Sequence, residues 1–160
     1  MKILAVQSRM GIGDTVIFLP FMKALSKKFN SPISILVKEN SKANQYLHQT
    51  KYIDKILILE RDNKTNNRHG GFFGIFKLAK DLKKYKFDKI FIFNSSLRFN
   101  LVAKISGIPQ IYQYPLFTKN KQHIIETPKK FLEENLHLDI NEDPEVQIDS
   151  DLISKAAQKF

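Results

Sequence analysis

The sequence predicts an α/β fold, a Rossmann-like and mostly parallel sheet with helices on both faces. Three observations predict it. Short apolar runs alternate with amphipathic segments at helical spacing along most of the chain, which is the pattern of strand–helix–strand units. The first apolar run, Ile3-Leu4-Ala5-Val6, feeds directly into a turn containing Gly11 and Gly13. The chain has 160 residues and 42% apolar content, enough for one domain with a sizeable core.

The elements follow in order. Strands are predicted near 2–7, 33–37, 55–60, 88–94 and 110–114, where β-branched and aromatic residues cluster. Helices are predicted near 14–29, 41–48, 72–85, 96–106 and 123–137. Gly107-Ile108-Pro109 stops a helix and restarts a strand. The run from Arg61 to Gly71 is polar, holds three Asn and closes on Gly70-Gly71, so it reads as an exposed, mobile loop. After Asn141 the chain turns acidic, meets Pro144 and alternates through Glu145-Val146-Gln147-Ile148, as a strand or linker leaving a domain would. Leu152 to Phe160 reads as the start of a helix. The division is therefore 1–140 for the Rossmann-like domain and 141–160 for an acidic linker with the start of a further segment.

Composition narrows the function. The absence of cysteine excludes disulfides, thiolate catalysis and zinc–thiolate sites. No apolar run is long enough to span a bilayer and no secretory signal is present, so a cytoplasmic location is expected. The net charge is +10, but it is uneven: residues 133–151 hold eight acids and no Lys or Arg. A basic body attracts phosphates, an anionic membrane face or nucleic acid. Only Arg9, Arg61, Arg68 and Arg98 are arginines, and lysine abundance with many Asn, Ile and Phe also arises in AT-rich genomes without selection for binding. No nucleic-acid-binding motif accompanies the charge, and the aromatics sit in apolar patterns, so no nucleic-acid partner is expected.

The segment Arg9-Met10-Gly11-Ile12-Gly13-Asp14-Thr15-Val16 is the most informative. It places a carboxylate and free backbone N–H groups at the carboxyl end of a first strand, where open α/β sheets bind their ligands. Asp14 has two readings: cap of the following helix, the commoner role on spacing alone, or catalytic carboxylate.

The stretch from Gly11 to Leu25, GIGDTVIFLPFMKAL, resembles the opening of the lipopolysaccharide heptosyltransferase family, which are GT-B glycosyltransferases. Further short matches come in family order: Ile35-Leu36-Val37-Lys38, Tyr52-Ile53-Asp54-Lys55-Ile56, Phe87-Asp88-Lys89-Ile90, Ser96-Leu97-Arg98 with Ala103-Lys104-Ile105-Ser106-Gly107, and His123-Ile124-Ile125-Glu126. Where the family often reads Asp-x-Gln-Gly-Ser-Leu-Arg, this chain has Ile92-Phe93-Asn94-Ser95-Ser96-Leu97-Arg98.

The resemblance implies the N-terminal half of a GT-B fold, the acceptor-side domain, with the donor-binding domain absent from this sequence and the chain therefore a fragment. It implies transfer of a sugar from a nucleotide-sugar donor such as ADP-heptose to a lipopolysaccharide-core or related surface-glycan acceptor, without cofactor or metal. Asp14, at the family's Gly-Asp position, is the implied base for the acceptor hydroxyl. Arg9, Gly11, Gly13, Arg61, Lys64, Ser96, Arg98 and His123 are the implied acceptor-binding residues. A surface charge is the commoner role for Arg9, Arg61 and Lys64, the two roles balance for Arg98, and a helix-start or packing histidine is the commoner role for His123.

The helix at 72–85 pairs Phe72, Phe73, Phe76, Leu78, Ala79, Leu82 and Tyr85 with a basic face of Lys77, Lys80, Lys83, Lys84 and Lys86. Such a helix either packs on its sheet with lysines in water or lies on an anionic membrane, here the inner membrane that holds the acceptor. The rival reading for the whole chain is a stand-alone, non-catalytic glycan- or anion-binding domain; a basic nucleic-acid-binding module ranks behind it.

Overall fold

The computed structural model of the chain describes residues 1–9, 11–116, 123–146 and 157–158. Five strands form one sheet: β1 (Ile3–Val6), β2 (Ile33–Lys38), β3 (Ile53–Leu59), β4 (Lys89–Ile92) and β5 (Gln110–Gln113), in the order β3-β2-β1-β4-β5. Every pairing is parallel, with Ala5 opposite Ile35 on one side and Phe91 on the other. The expected sheet is thus present, and wholly rather than mostly parallel. The order reverses at β1: the chain builds outward to β3 on one side, then returns to β4 and β5 on the other. Ligands of open α/β sheets bind outside the carboxyl ends of the strands at such a reversal.

Side-chain alternation along β1 and β4 feeds two cores. Ile3, Ala5, Phe91 and Phe93 join α1 (Ile12–Ile17), α2 (Leu19–Phe29), α3 (Ala43–Tyr46) and α6 (Glu126–Leu136). Leu4, Val6, Ile90 and Ile92 join α4 (Phe73–Lys83) and α5 (Leu97–Ile105) on the opposite face. Phe131 seats α6 on the sheet, edge-on to Tyr114 at 5.0 Å and to Phe93 at 5.5 Å between ring centres. Tyr112 stacks flat on Phe91 at 4.6 Å.

Four expected elements differ from the observed ones. The helix expected over 14–29 begins two residues earlier and is broken at Phe18 into α1 and α2. Pro20 causes the break, because it has no N–H for the i−4 carbonyl and its ring crowds that turn; it sits in the first turn of α2, where proline is tolerated. The helix expected over 41–48 shrinks to a 3₁₀ turn at Glu39–Ser41 and the four residues of α3, because Lys42 between them adopts a left-handed conformation at φ 53°. The helix expected from 123 begins at Glu126. On α4 the buried side chains are Ile75, Leu78, Ala79 and Leu82, so the core face turns away from Phe72, Phe73 and Phe76. The linker to Val146 carries no regular element, and the helix expected from Leu152 lies outside the described residues.

Candidate functional site

β1 delivers Gln7, Ser8 and Arg9 to the carboxyl edge of the sheet, at the point where the strand order reverses. Gly11 follows at φ 103°, ψ 163°, a conformation that L side chains rarely adopt, and from it α1 starts. Asp14 is the third residue of α1 and does not cap it: the cap position belongs to Gly11, which has no side chain to offer. The turn is closed instead by Thr15, whose buried hydroxyl donates to the Gly11 carbonyl at 3.1 Å. Asp14 is half-buried, and among the described residues its carboxylate has no hydrogen-bond or ion-pair partner. A Cβ added at Gly13 would meet nothing within 4 Å, so this turn borders open space.

The β1 and β4 exits are joined by amides. The Asn94 side chain donates to Ser8 Oγ at 3.0 Å and accepts from the Ser96 N–H at 2.9 Å. Gln113, from the end of β5, donates to the carbonyls of Asn94 at 3.1 Å and Ser96 at 2.8 Å, and accepts from Asn100 at 3.0 Å. Ser96 is the cap residue of α5, but its hydroxyl makes no cap hydrogen bond. Gln7 is buried beneath this edge, and among the described residues neither of its amide atoms has a hydrogen-bond partner. The Tyr114 hydroxyl, also buried, has no partner among the described residues either; burial pushes it well above the ordinary phenol range, against the pull of the Arg9 charge.

At the other end of the edge, Arg61 and Lys64 line a cleft of about 440 Å³ with Lys38 and Lys42. Its acids are already engaged. Asp62 accepts from Lys38 at 2.8 Å, which holds its carboxyl below the usual range, and Glu39 accepts from Asn63 at 2.6 Å.

The loop 61–71 is exposed over most of its length, as expected, and its base is closed by hydrogen bonds. Glu60 and His69 close it reciprocally: the His69 N–H donates to the Glu60 carbonyl at 2.9 Å, and the Glu60 N–H donates to His69 Nδ1 at 3.0 Å. His69 is buried, and its Nε2 lies 3.1 Å from Asp81 Oδ2. Arg68 reaches the other oxygen of Asp81 at 2.8 Å. Burial acts to raise the Asp81 pKa, but the His69 hydrogen bond and the charges of Arg68, His69 and Lys84 outweigh it and hold the carboxyl below its ordinary value.

Arg98 belongs to the same latch. It donates to the Gly71 carbonyl at 2.8 Å and to the His69 carbonyl, and burial together with the Arg61 charge lowers its pKa. His123 caps α6 with its ring, Nδ1 accepting from the N–H groups of Ile125 at 3.3 Å and Glu126 at 3.2 Å. The structure therefore gathers Arg9, Gly11, Gly13, Asp14 and Ser96 around the reversal point, sets Arg61 and Lys64 in a separate cleft, and employs Arg98 and His123 in backbone hydrogen bonds. Sequence reading missed Gln7, Gln113 and Tyr114; only their places at the ends of strands signalled them. Among the described residues no group of three or more His, Asp or Glu could hold a metal ion.

These features define a class: a Rossmann-like α/β domain with an all-parallel sheet, at whose switch point stands a carboxylate without a partner among the described residues. Solved structures give the particular likeness. The Veillonella parvula glycosyl transferase family 9 structure matches 98% of this chain at TM-score 0.73 and 19% identity, using 48% of its own length. E. coli ADP-heptose lipopolysaccharide heptosyltransferase II matches 100% of the chain at TM-score 0.66 and 15% identity, over 50% of its length. E. coli heptosyltransferase WaaC with ADP matches 89% at TM-score 0.54 and 12% identity, over 49% of its length. The chain thus spans about half the length of these structures and shares their Rossmann-like GT-B architecture over that half. The resemblance read from the sequence recurs in three dimensions, as a likeness of fold. No family model and no curated protein sequence matches the chain.

Proposed function

We propose that this chain is the acceptor-side half of a cytoplasmic glycosyltransferase that moves a sugar from a nucleotide-sugar donor, such as ADP-heptose, to a lipopolysaccharide-core or related surface-glycan hydroxyl. The observation that carries the reading is Asp14: a carboxylate without a partner among the described residues, on the first turn of α1, at the switch point of a fold like that of family 9 transferases. In the reaction the acceptor oxygen bonds to the anomeric carbon, the nucleotide diphosphate leaves with the electron pair of the broken bond, and the hydroxyl proton passes to Asp14. Gly11 and Gly13 add no side-chain bulk of their own where the sugar would approach. Arg9 and Ser96 flank the same edge and orient the acceptor, and Arg61 and Lys64 offer charge to an acidic or phosphorylated part of it.

The test is nucleotide release by the intact protein. ADP-heptose with a deacylated lipopolysaccharide core is expected to give ADP only when both are present. Asp14→Asn is expected to lower turnover by at least about 100-fold. Undiminished turnover in that variant would remove Asp14 from the reaction, and no release with any nucleotide-sugar tried would favour the binding-domain reading.

A further inference from the structure

The outer face of the α4/α5 layer carries apolar side chains that the fold does not use. Phe72 is 69% exposed, Phe73 76% and Phe76 48%. Phe72 stands edge-on to both others, its ring centre 5.9 Å from that of Phe73 and 5.7 Å from that of Phe76, so the three rings form one cluster in water. They leave on the order of 400 Å² of aromatic surface uncovered, the size at which an exposed patch marks an interaction site. The core needs none of it, because Ile75, Leu78, Ala79 and Leu82 already fill the inner face of α4. The neighbouring helix repeats the pattern. Phe99, Val102 and Ala103 of α5 are buried, whereas Leu97, Leu101 and Ile105, four residues apart along the helix, are exposed.

The charge around these residues has one sign. Lys77, Lys80 and Lys83 on α4 and Lys104 on α5 are exposed. The one acid of the two helices, Asp81, is engaged by His69, Arg68 and Lys84. A second copy of the chain, docked face to face about a two-fold axis, would set these lysines against each other. An anionic lipid surface instead takes the rings among its acyl chains and the lysines at its headgroups.

We infer that the outer face of α4 and α5, led by Phe72, Phe73 and Phe76, docks on an anionic bilayer. Vesicle binding is read without any transfer reaction, so its failure leaves the transferase reading standing, and the converse holds too. Sedimentation of the intact protein with phosphatidylglycerol/phosphatidylethanolamine vesicles is expected to exceed that with phosphatidylcholine by at least about tenfold and to fall with added salt. The triple variant Phe72→Ser/Phe73→Ser/Phe76→Ser, whose rings are outside the core, is expected to fold normally and lose that binding. Lys77→Gln/Lys80→Gln/Lys83→Gln is expected to lose the preference for anionic lipid.

The sequence has no Trp, so Phe73→Trp places a single reporter in it. Its emission is expected to shift to the blue on anionic vesicles and to be quenched by brominated lipid. Equal sedimentation with both lipids, unchanged binding by the serine variant, or an unshifted reporter would each overturn the inference. So would a dimer that the serine variant dissolves, since the face would then belong to a second copy.

Discussion

His69 Nε2 lies 3.1 Å from Asp81 Oδ2, and this contact fastens the loop after β3 to α4. Because Nδ1 accepts from the Glu60 N–H, the ring's Nε2 is the donor toward Asp81. One buried imidazole therefore closes the loop on itself and ties it to the helix.

The latch is pH-dependent through Asp81. Its carboxyl is held below its ordinary value in the fold, so its contribution is fully present above the unfolded carboxylate range and is lost as pH falls through the lower, folded value. Asp81→Asn is expected to flatten the acid limb of a plot of Tm against pH while leaving neutral-pH stability lower. His69→Ala is expected to cost about 1–3 kcal/mol and to open the 61–71 segment to proteolysis. An acid limb unchanged by Asp81→Asn would show that other carboxylates set it.

Gly74→Ala reverses the usual helix rule. Alanine is normally favoured over glycine in a helix, by about 1 kcal/mol in the interior and less in the first turn, where Gly74 stands. At Gly74 the new Cβ would overlap the backbone carbonyl of His69 and stand 2.8 Å from Arg98 Nη2. A loss of about 1–3 kcal/mol is expected, measured by urea denaturation; a gain would mean that the latch yields.

Arg98→Lys is a test of geometry at constant charge. The guanidinium spans two carbonyls, those of Gly71 and His69, which an ammonium on a flexible stem cannot reach together. Thermal stability is expected to drop without any ligand present. An unchanged Tm with weakened acceptor binding would return Arg98 to the acceptor site.

Gln7→Met removes a buried amide that has no hydrogen bond among the described residues and keeps its length. A gain of about 1–3 kcal/mol is expected, because the desolvation cost disappears with the group. The same variant separates two roles: unchanged transfer would make Gln7 a structural cost only, and reduced transfer would show that the amide meets the substrate.

The strands were legible because each is a short apolar run, and the alternation of strands with helices implied parallel pairing; the order β3-β2-β1-β4-β5 was not legible, because right-handed crossovers fix the hand of each connection and not which strands become neighbours. Asp14 was legible as a site by its place after β1, yet its competing role as a cap depended on where α1 begins, and Gly11 moved that start two residues forward. The break at Pro20 had a local signal, the missing N–H. The loop latch had none: His69 and Asp81 are twelve residues apart and meet only after α4 has packed. Nor could the periodicity of α4 say which of its apolar residues face the sheet. Ile75, absent from the expected face, turned inward, and Phe72, Phe73 and Phe76 turned outward.

Along β4 and the residue after it consecutive side chains serve opposite layers, Ile90 and Ile92 one core, Phe91 and Phe93 the other. The backbone between them acts as a partition. A substitution that loosens Phe91 repacks α6 without asking anything of α5, so losses at Phe91 and at Leu78, on opposite faces of the sheet, should sum rather than compound. Either layer of this domain can accumulate change while the other holds the strands, and their carboxyl ends, in place.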